Sequence, residues 1–133
     1  MIKQGPKSVK PAPAAAGKIL YCEGDVTVLA EQSKFFEHAG YAVERVQGRA
    51  ACMQALQKSR YDVVVLGHTL TKDDRHHLPY MAKKSHRETQ VMVLHASGKH
   101  HAVDFSMDSR EGEQAIIKAI HSLVERKSFA AAV

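Results

Sequence analysis

The groups able to do chemistry in this chain are a small set of acids, imidazoles and thiols. Glu23 and Asp25 close the first apolar run, Ile19-Leu20-Tyr21-Cys22, and Asp108 follows a later alternating run from Val103 to Met107. These carboxylates could converge at the top of a sheet, where open α/β folds bind ligands. His68 and His95 stand just beyond two more apolar runs, and His100-His101 follow in the next loop. Imidazoles suit zinc or nickel. No pair of ligands has the turn-spaced or helix-spaced signature of a metal site, however, and adjacent histidines such as His76-His77 are common in solvated loops, so no metal or other cofactor is expected. Phosphate-cradling glycine loops, a serine nucleophile elbow and a Cys-His arrangement are also missing. Cys22 and Cys52 each fall where an apolar side chain would face a core, which reads as a reduced, buried pair.

Positioning these residues requires alternating strands and helices. Lys18 to Cys22 reads as a strand closed by the Glu23-Gly24-Asp25 turn. Val28, Leu29, Phe35 and Phe36 recur seven apart before Gly40, an amphipathic helix with a glycine stop. Tyr41 to Val46 and Arg49 to Ser59 supply a second strand and helix. Val63-Val64-Val65-Leu66 has the composition of a strand buried on both faces, and it is placed at the sheet centre. The polar stretch from Thr71 to His86 contains Pro79, which limits a helix there to a short piece around Pro79 to Lys84. Val91 to Leu94 is a fourth strand, and Val103, Phe105 and Met107 alternate as an edge-like fifth. Ile116, Ile117, Ile120, Leu123 and Val124 form the apolar stripe of a final helix. This alternation predicts a parallel sheet with helices on both faces.

The 133 residues are those of one domain, and the composition, 44% hydrophobic and 25% charged, is that of an ordinary globular protein. The expected organisation is a flexible tail over 1–17, a folded domain over 18–127 and a short tail over 128–133. No apolar run approaches the length of a membrane helix, and no secretory signal is evident, which points to a cytoplasmic protein without a membrane partner. The net charge of +5 suggests nucleic acid at first sight. Of the 19 basic residues, however, Lys3, Lys7 and Lys10 lie in the tail, leaving 16 against 14 acidic residues in the remainder. A clustered basic face is lacking, and no nucleic-acid partner is expected.

From Lys18 to Lys127 the chain resembles the response-regulator receiver domains of two-component signalling. Ile19-Leu20-Tyr21-Cys22-Glu23-Gly24-Asp25 occupies the register of the family's ILVVDDD strand, and Tyr61-Asp62-Val63-Val64-Val65-Leu66-Gly67 matches YDLVLLD. Thr89 to Ala96 is set against TPVIVLTA, and Ala102 to Ser109 against ADDYLTKP. The resemblance implies a flavodoxin-like five-stranded parallel sheet of order 2-1-3-4-5. It also implies a strand-end pocket in which an aspartate accepts a phosphoryl group beside Mg²⁺, two acids, a hydroxyl and a lysine. At those positions this chain carries Glu23 and Gly24 for the acids, Gly67 for the acceptor, His95 for the hydroxyl and Asp108 for the lysine. Asp62 cannot replace the acceptor, because five residues of strand place it about 16 Å away. A degenerate pocket that takes no phosphoryl group is the expectation, with His95 filling part of it and solvated acids around it.

The resemblance also implies a helix between the fourth and fifth strands, for which only Ala96 to His101 remain. Six residues span at most ~20 Å and a parallel crossover normally needs a dozen, so this fourth helix should be missing or replaced by an extended loop, unless the fifth strand pairs differently or is swapped into a second protomer. The expected function is phosphorylation-independent and non-enzymatic: binding of a signalling protein or of a second copy through Val103, Phe105, Met107 and exposed parts of the last helix. No output domain is expected to follow. The alternative is a small-ligand or metal sensor using Glu23, His68, His95 and Asp108.

Overall fold

The alternation of β1 (Lys18–Glu23) sends Ile19 and Tyr21 to one side of the sheet and Leu20 and Cys22 to the other, and all four side chains are fully buried. A strand covered on both faces needs helices on both. The computed structural model, which describes residues 16–94 and 102–132 and side chains as far as Arg126, supplies them. After β1 come α1 (Val26–His38), β2 (Ala42–Gln47), α2 (Gly48–Lys58), β3 (Val63–Leu66), α3 (Lys72–Ser85), β4 (Gln90–Leu94), β5 (Phe105–Met107) and α4 (Glu113–Ala132). The five strands pair in parallel in the order β2-β1-β3-β4-β5.

Two apolar layers result. Leu20, Cys22, Val64, Leu66, Val91 and Val93 pack under Cys52, Ala55 and Leu56 of α2 and Leu78 and Ala82 of α3. Ile19, Tyr21, Val63, Val65, Met92 and Leu94 pack under Leu29 and Phe36 of α1 and Ile116, Ile120 and Leu123 of α4. The central place expected for Val63 to Leu66 is observed, with all four residues buried. Gly40, at φ 101°, sits just past the end of α1, where a left-handed residue closes a helix.

Three expectations are corrected. The polar stretch is a helix of 14 residues, with Pro79 inside it. Thr71 caps its N-terminus, Asp73 and Asp74 lie in the first turn and Lys83 and Lys84 in the last, all favourable to the helix dipole. Burial of Leu78 and Ala82 against the sheet, with Pro79 itself buried, offsets the cost of the proline, about 3 kcal/mol in an unsupported helix. The last helix continues through Ala132 instead of ending at Lys127, since Ser128-Phe129-Ala130-Ala131-Ala132 contains no breaker and alanine is the strongest helix former. At the other end, order extends before Lys18: Ala16 N–H donates to the Gly40 carbonyl and Ala42 N–H to that of Gly17, each at 2.9 Å. Residues 1–15 lie outside the described residues.

The fifth strand pairs within its own chain, parallel to β4 through Met92↔Phe105, Val93↔Ser106 and Leu94↔Met107. The described residues contain four α-helices, one fewer than a helix after every strand would give. Of the short link between β4 and β5, residues 95–101 lie outside the described residues. Its final part lies on the α3 side, where Val103 packs against the α2/α3 layer and Asp104 accepts a 2.6 Å ion-pair hydrogen bond from Lys83 of α3. No helix among the described residues is long and apolar enough to cross a membrane.

Candidate functional site

At the carboxyl end of the sheet, β1 finishes on a buried acid. Glu23 has no exposed surface, and alternation puts its side chain on the same side as Tyr21. A carboxylate removed from water is costly unless donors surround it. Three do: the Tyr21 hydroxyl donates to Oε2, while the Thr69 amide at 3.0 Å and the Thr69 hydroxyl at 2.5 Å both donate to Oε1. Thr69 lies in the loop between β3 and α3, and its Oγ1 also accepts from the amides of Gly24 at 2.8 Å and Asp25 at 3.0 Å. One threonine thus clasps the β1 turn from both sides. Burial, followed by the Glu23 charge and hydrogen bond, pushes the Tyr21 phenol far above its ordinary ionisation range, so it remains a donor.

The two glycines of the site are set by space. Gly67 directly follows β3, and its amide donates to the Cys22 carbonyl at 2.8 Å. A Cβ placed on Gly67 would fall within 3.0 Å of Cδ, Oε1 and Oε2 of Glu23, separations that real Cβ atoms essentially never show. A Cβ on Gly24 would fall within 3.0 Å of the Thr69 carbonyl oxygen. Neither has a positive φ. Backbone conformation would therefore accept other residues at both positions; at Gly24 the backbone of Thr69 blocks them, and at Gly67 the Glu23 carboxyl group would have to move aside.

The remaining candidates scatter. Asp25 is exposed and caps α1, accepting from the amides of Thr27 at 2.8 Å and Val28 at 3.1 Å. Asp108 pairs with Arg110 at 2.7 Å and caps the 3₁₀ turn Ser109–Glu111. His68 is half-buried, its carbonyl accepts from Arg75, and its Nδ1 is buried without a partner among the described residues. His95, expected to fill the pocket, and His100-His101 lie outside the described residues. No three His, Cys, Asp or Glu side chains among the described residues form a group able to hold a metal ion. The expectation of solvated acids is corrected for Glu23, which is sealed in by Tyr21 and Thr69. Asp62 lies at the opposite end of the sheet, where it accepts the Lys18 amide at 2.7 Å.

Nor do Val103, Phe105 and Met107 share one surface. Val103 packs into the α2/α3 layer and Met107 into the α1/α4 layer, while Phe105 is 39% exposed. The strand begins only at Phe105, so the alternation expected from Val103 onward does not carry the three to one face. Sequence reasoning passed over Tyr21 and Thr69. The spacing of Tyr21 and Glu23, two residues apart on one strand, was the available signal for the first; Thr69 in a loop carried none.

This arrangement of sheet and strand-end site can be set beside known structures. The chain has the receiver-domain fold. A CheY-like response-regulator receiver domain protein from Methanospirillum hungatei JF-1 superposes with a TM-score of 0.74 at 12% identity, over 85% of this chain and 97% of that one. NtrX from Brucella abortus, solved in complex with ATP, gives 0.74 at 14% identity over 88% of this chain, which spans only 29% of NtrX. The receiver domain of a sensor histidine kinase from Pseudomonas aeruginosa PAO1, with a magnesium ion in its active-site cleft, gives 0.71 at 13% identity over 82% of this chain and 98% of that one. At these identities the likeness is one of fold. No protein-family model matches the chain, and no curated protein matches it in sequence.

Magnesium, which the receiver fold implies, does not fit these residues. Both Glu23 oxygens already accept hydrogen bonds, Gly24 and Gly67 offer no oxygen-bearing side chains, and the backbone of Thr69 lies against Gly24. A hard cation takes several oxygen ligands, which the described residues of this strand end do not present.

Proposed function

We propose that this chain is a degenerate receiver of a two-component or related pathway, which takes no phosphoryl group, catalyses no reaction of its own and signals by protein contact. The observation that carries this reading is the Glu23 side chain packed over Gly67. Gly67 stands where a receiver carries its acceptor aspartate, and a glycine has no side chain to phosphorylate. The space such a side chain would enter holds a carboxylate of this chain. A second anion brought beside Glu23 in a buried setting would be repelled.

Incubation with acetyl phosphate and Mg²⁺ followed by intact-mass measurement tests the first half. No gain of phosphate is expected, either in the parent or in Gly67→Asp, whose new carboxylate would compete with Glu23 for the same space. A hydroxylamine-sensitive phosphate on the parent chain would overturn the reading. For the contact, the surface proposed is the β5 edge around Phe105, with a second copy of the chain as partner, because an edge strand leaves backbone groups unpaired and Phe105 is an exposed large apolar side chain beside them. Sedimentation should show concentration-dependent association that Phe105→Lys weakens while circular dichroism stays unchanged. A parent that remains monomeric at millimolar concentration would rule out self-association through this face.

A further inference from the structure

Two thiols adjoin the pocket without taking part in its hydrogen bonds. Cys22, the residue before Glu23 on β1, and Cys52, on α2, are both fully buried, and their sulfurs stand 2.9 Å apart. They are the only cysteines of the chain, so neither has a competing intramolecular partner. Both sit in the apolar α2/α3 layer. A disulfide requires sulfurs about 2.05 Å apart, so they need to approach by less than about 1 Å. The fold has already brought together two residues separated by 30 positions, which is the entropic obstacle to closing such a loop.

We propose that Cys22 and Cys52 form an oxidisable pair, closed into a reversible intramolecular disulfide between β1 and α2 by a two-electron oxidant such as hydrogen peroxide or a small-molecule disulfide. With peroxide, one thiolate attacks an oxygen, the O–O bond breaks, and a sulfenic acid and hydroxide result; the hydroxide takes the first thiol's proton and leaves as water. The second sulfur then attacks the sulfenic sulfur, the S–S bond forms, and the displaced hydroxyl leaves as a second water with the second thiol's proton. Each sulfur loses one electron and the peroxide gains two.

The oxidant reaches the pair through α2. Burial, with the contact to Cys52 next, pushes the Cys22 thiol well above its ordinary range and keeps it protonated while the helix is docked. The helix start is uncapped: Gln47 makes no side-chain capping bond and no acidic residue lies in the first turn. The Arg49–Asp74 ion pair that ties this turn to α3 is long, at 3.4 Å, and partly exposed. Local opening at that end admits a small oxidant, and the disulfide then locks α2 to the strand that carries Glu23. Gln47 also donates to the Gly24 carbonyl at 3.1 Å, so the lock acts beside the pocket turn.

The test uses the full chain. The reduced protein is treated with hydrogen peroxide or oxidised glutathione, denatured, alkylated with N-ethylmaleimide and weighed. In parallel, denatured protein is refolded in a glutathione redox buffer, which removes any barrier of access. The expected product is a monomer lacking two hydrogens and taking no maleimide, reverted by dithiothreitol to a form taking two. It should show native circular dichroism and a thermal midpoint raised by about 5–15 °C. Slow oxidation of the native protein with full closure on refolding supports the pair with access gated by α2. Two alkylatable thiols after both routes, glutathione adducts or intermolecular dimers alone, or a disulfide form without native dichroism would overturn the proposal. Cys52→Ala should retain one alkylatable thiol throughout and lose the midpoint shift.

Discussion

The carboxyl group of Glu23 lies over Gly67, in the volume where any side chain at Gly67 would begin. The acid is buried and accepts three hydrogen bonds, so moving it aside means breaking bonds made by Tyr21 and Thr69. Gly67→Ala should therefore destabilise the fold by about 1–3 kcal/mol, although alanine suits the backbone there. In a Glu23→Ala background the same change should cost much less, because the space has been vacated. A double-mutant cycle in urea measures the coupling, and additive effects would show that the two positions do not share this space.

Thr69→Val keeps the shape of the side chain and removes its hydroxyl. The Gly24 and Asp25 amides then lose their acceptor and Glu23 loses a donor. The expected loss is about 1–3 kcal/mol, with faster amide exchange at Gly24. Unchanged stability and exchange would mean that water replaces the hydroxyl without penalty.

Alkaline pH should weaken the fold through its tyrosines. Burial first, then Glu125, pushes the Tyr41 phenol up to about 12; Tyr61 is raised by burial and by its hydrogen bond to Glu44, and Tyr21 by burial and Glu23. Above pH ~10, the ordinary phenol value, the unfolded chain releases protons that the folded chain retains. The stabilising contribution is thus fully present below pH ~10 and falls as pH rises through about 12. Thermal midpoints between pH 8 and 11.5 should decline gently from about pH 9, where the unfolded Cys22 thiol ionises and the buried one does not, and more steeply above pH ~10, with a shallower late decline in Tyr41→Phe. A flat profile across the whole interval would contradict these shifts.

Asp104 ties the segment before β5 to two elements at once. One oxygen accepts from Lys83 at 2.6 Å and from the Val91 amide at 2.7 Å, and the Asp104 amide donates to the Val91 carbonyl at 2.8 Å. The Lys83 and Asp104 side chains are each 24% exposed, so the ion pair is partly screened. Lys83→Met should cost about 1 kcal/mol or less, whereas Asp104→Ala should cost more and speed exchange of the Val91 amide. Equal effects of the two substitutions would place the stabilisation in the ion pair instead of the backbone bond.

Much of the fold was legible because its signals are local. Four buried residues in a row at Val63 to Leu66, the stripe from Ile116 to Val124 and the glycine after α1 each act within a few residues, and the strand order followed from the resemblance they supported. Helix α3 is longer than its sequence predicts because proline's penalty is local while its compensation, burial of Leu78 and Ala82 in the layer packed on the sheet, is tertiary. The sequence by itself determined that Gly24 and Gly67 carry no groups for phosphoryl chemistry and that Cys22 and Cys52 face a core. Only the tertiary structure decided what the glycines make room for. Thr69 reaches Glu23 across 46 positions and Cys52 reaches Cys22 across 30, and such meetings depend on how β1, α2 and the loop after β3 pack together, which no local pattern along the chain records.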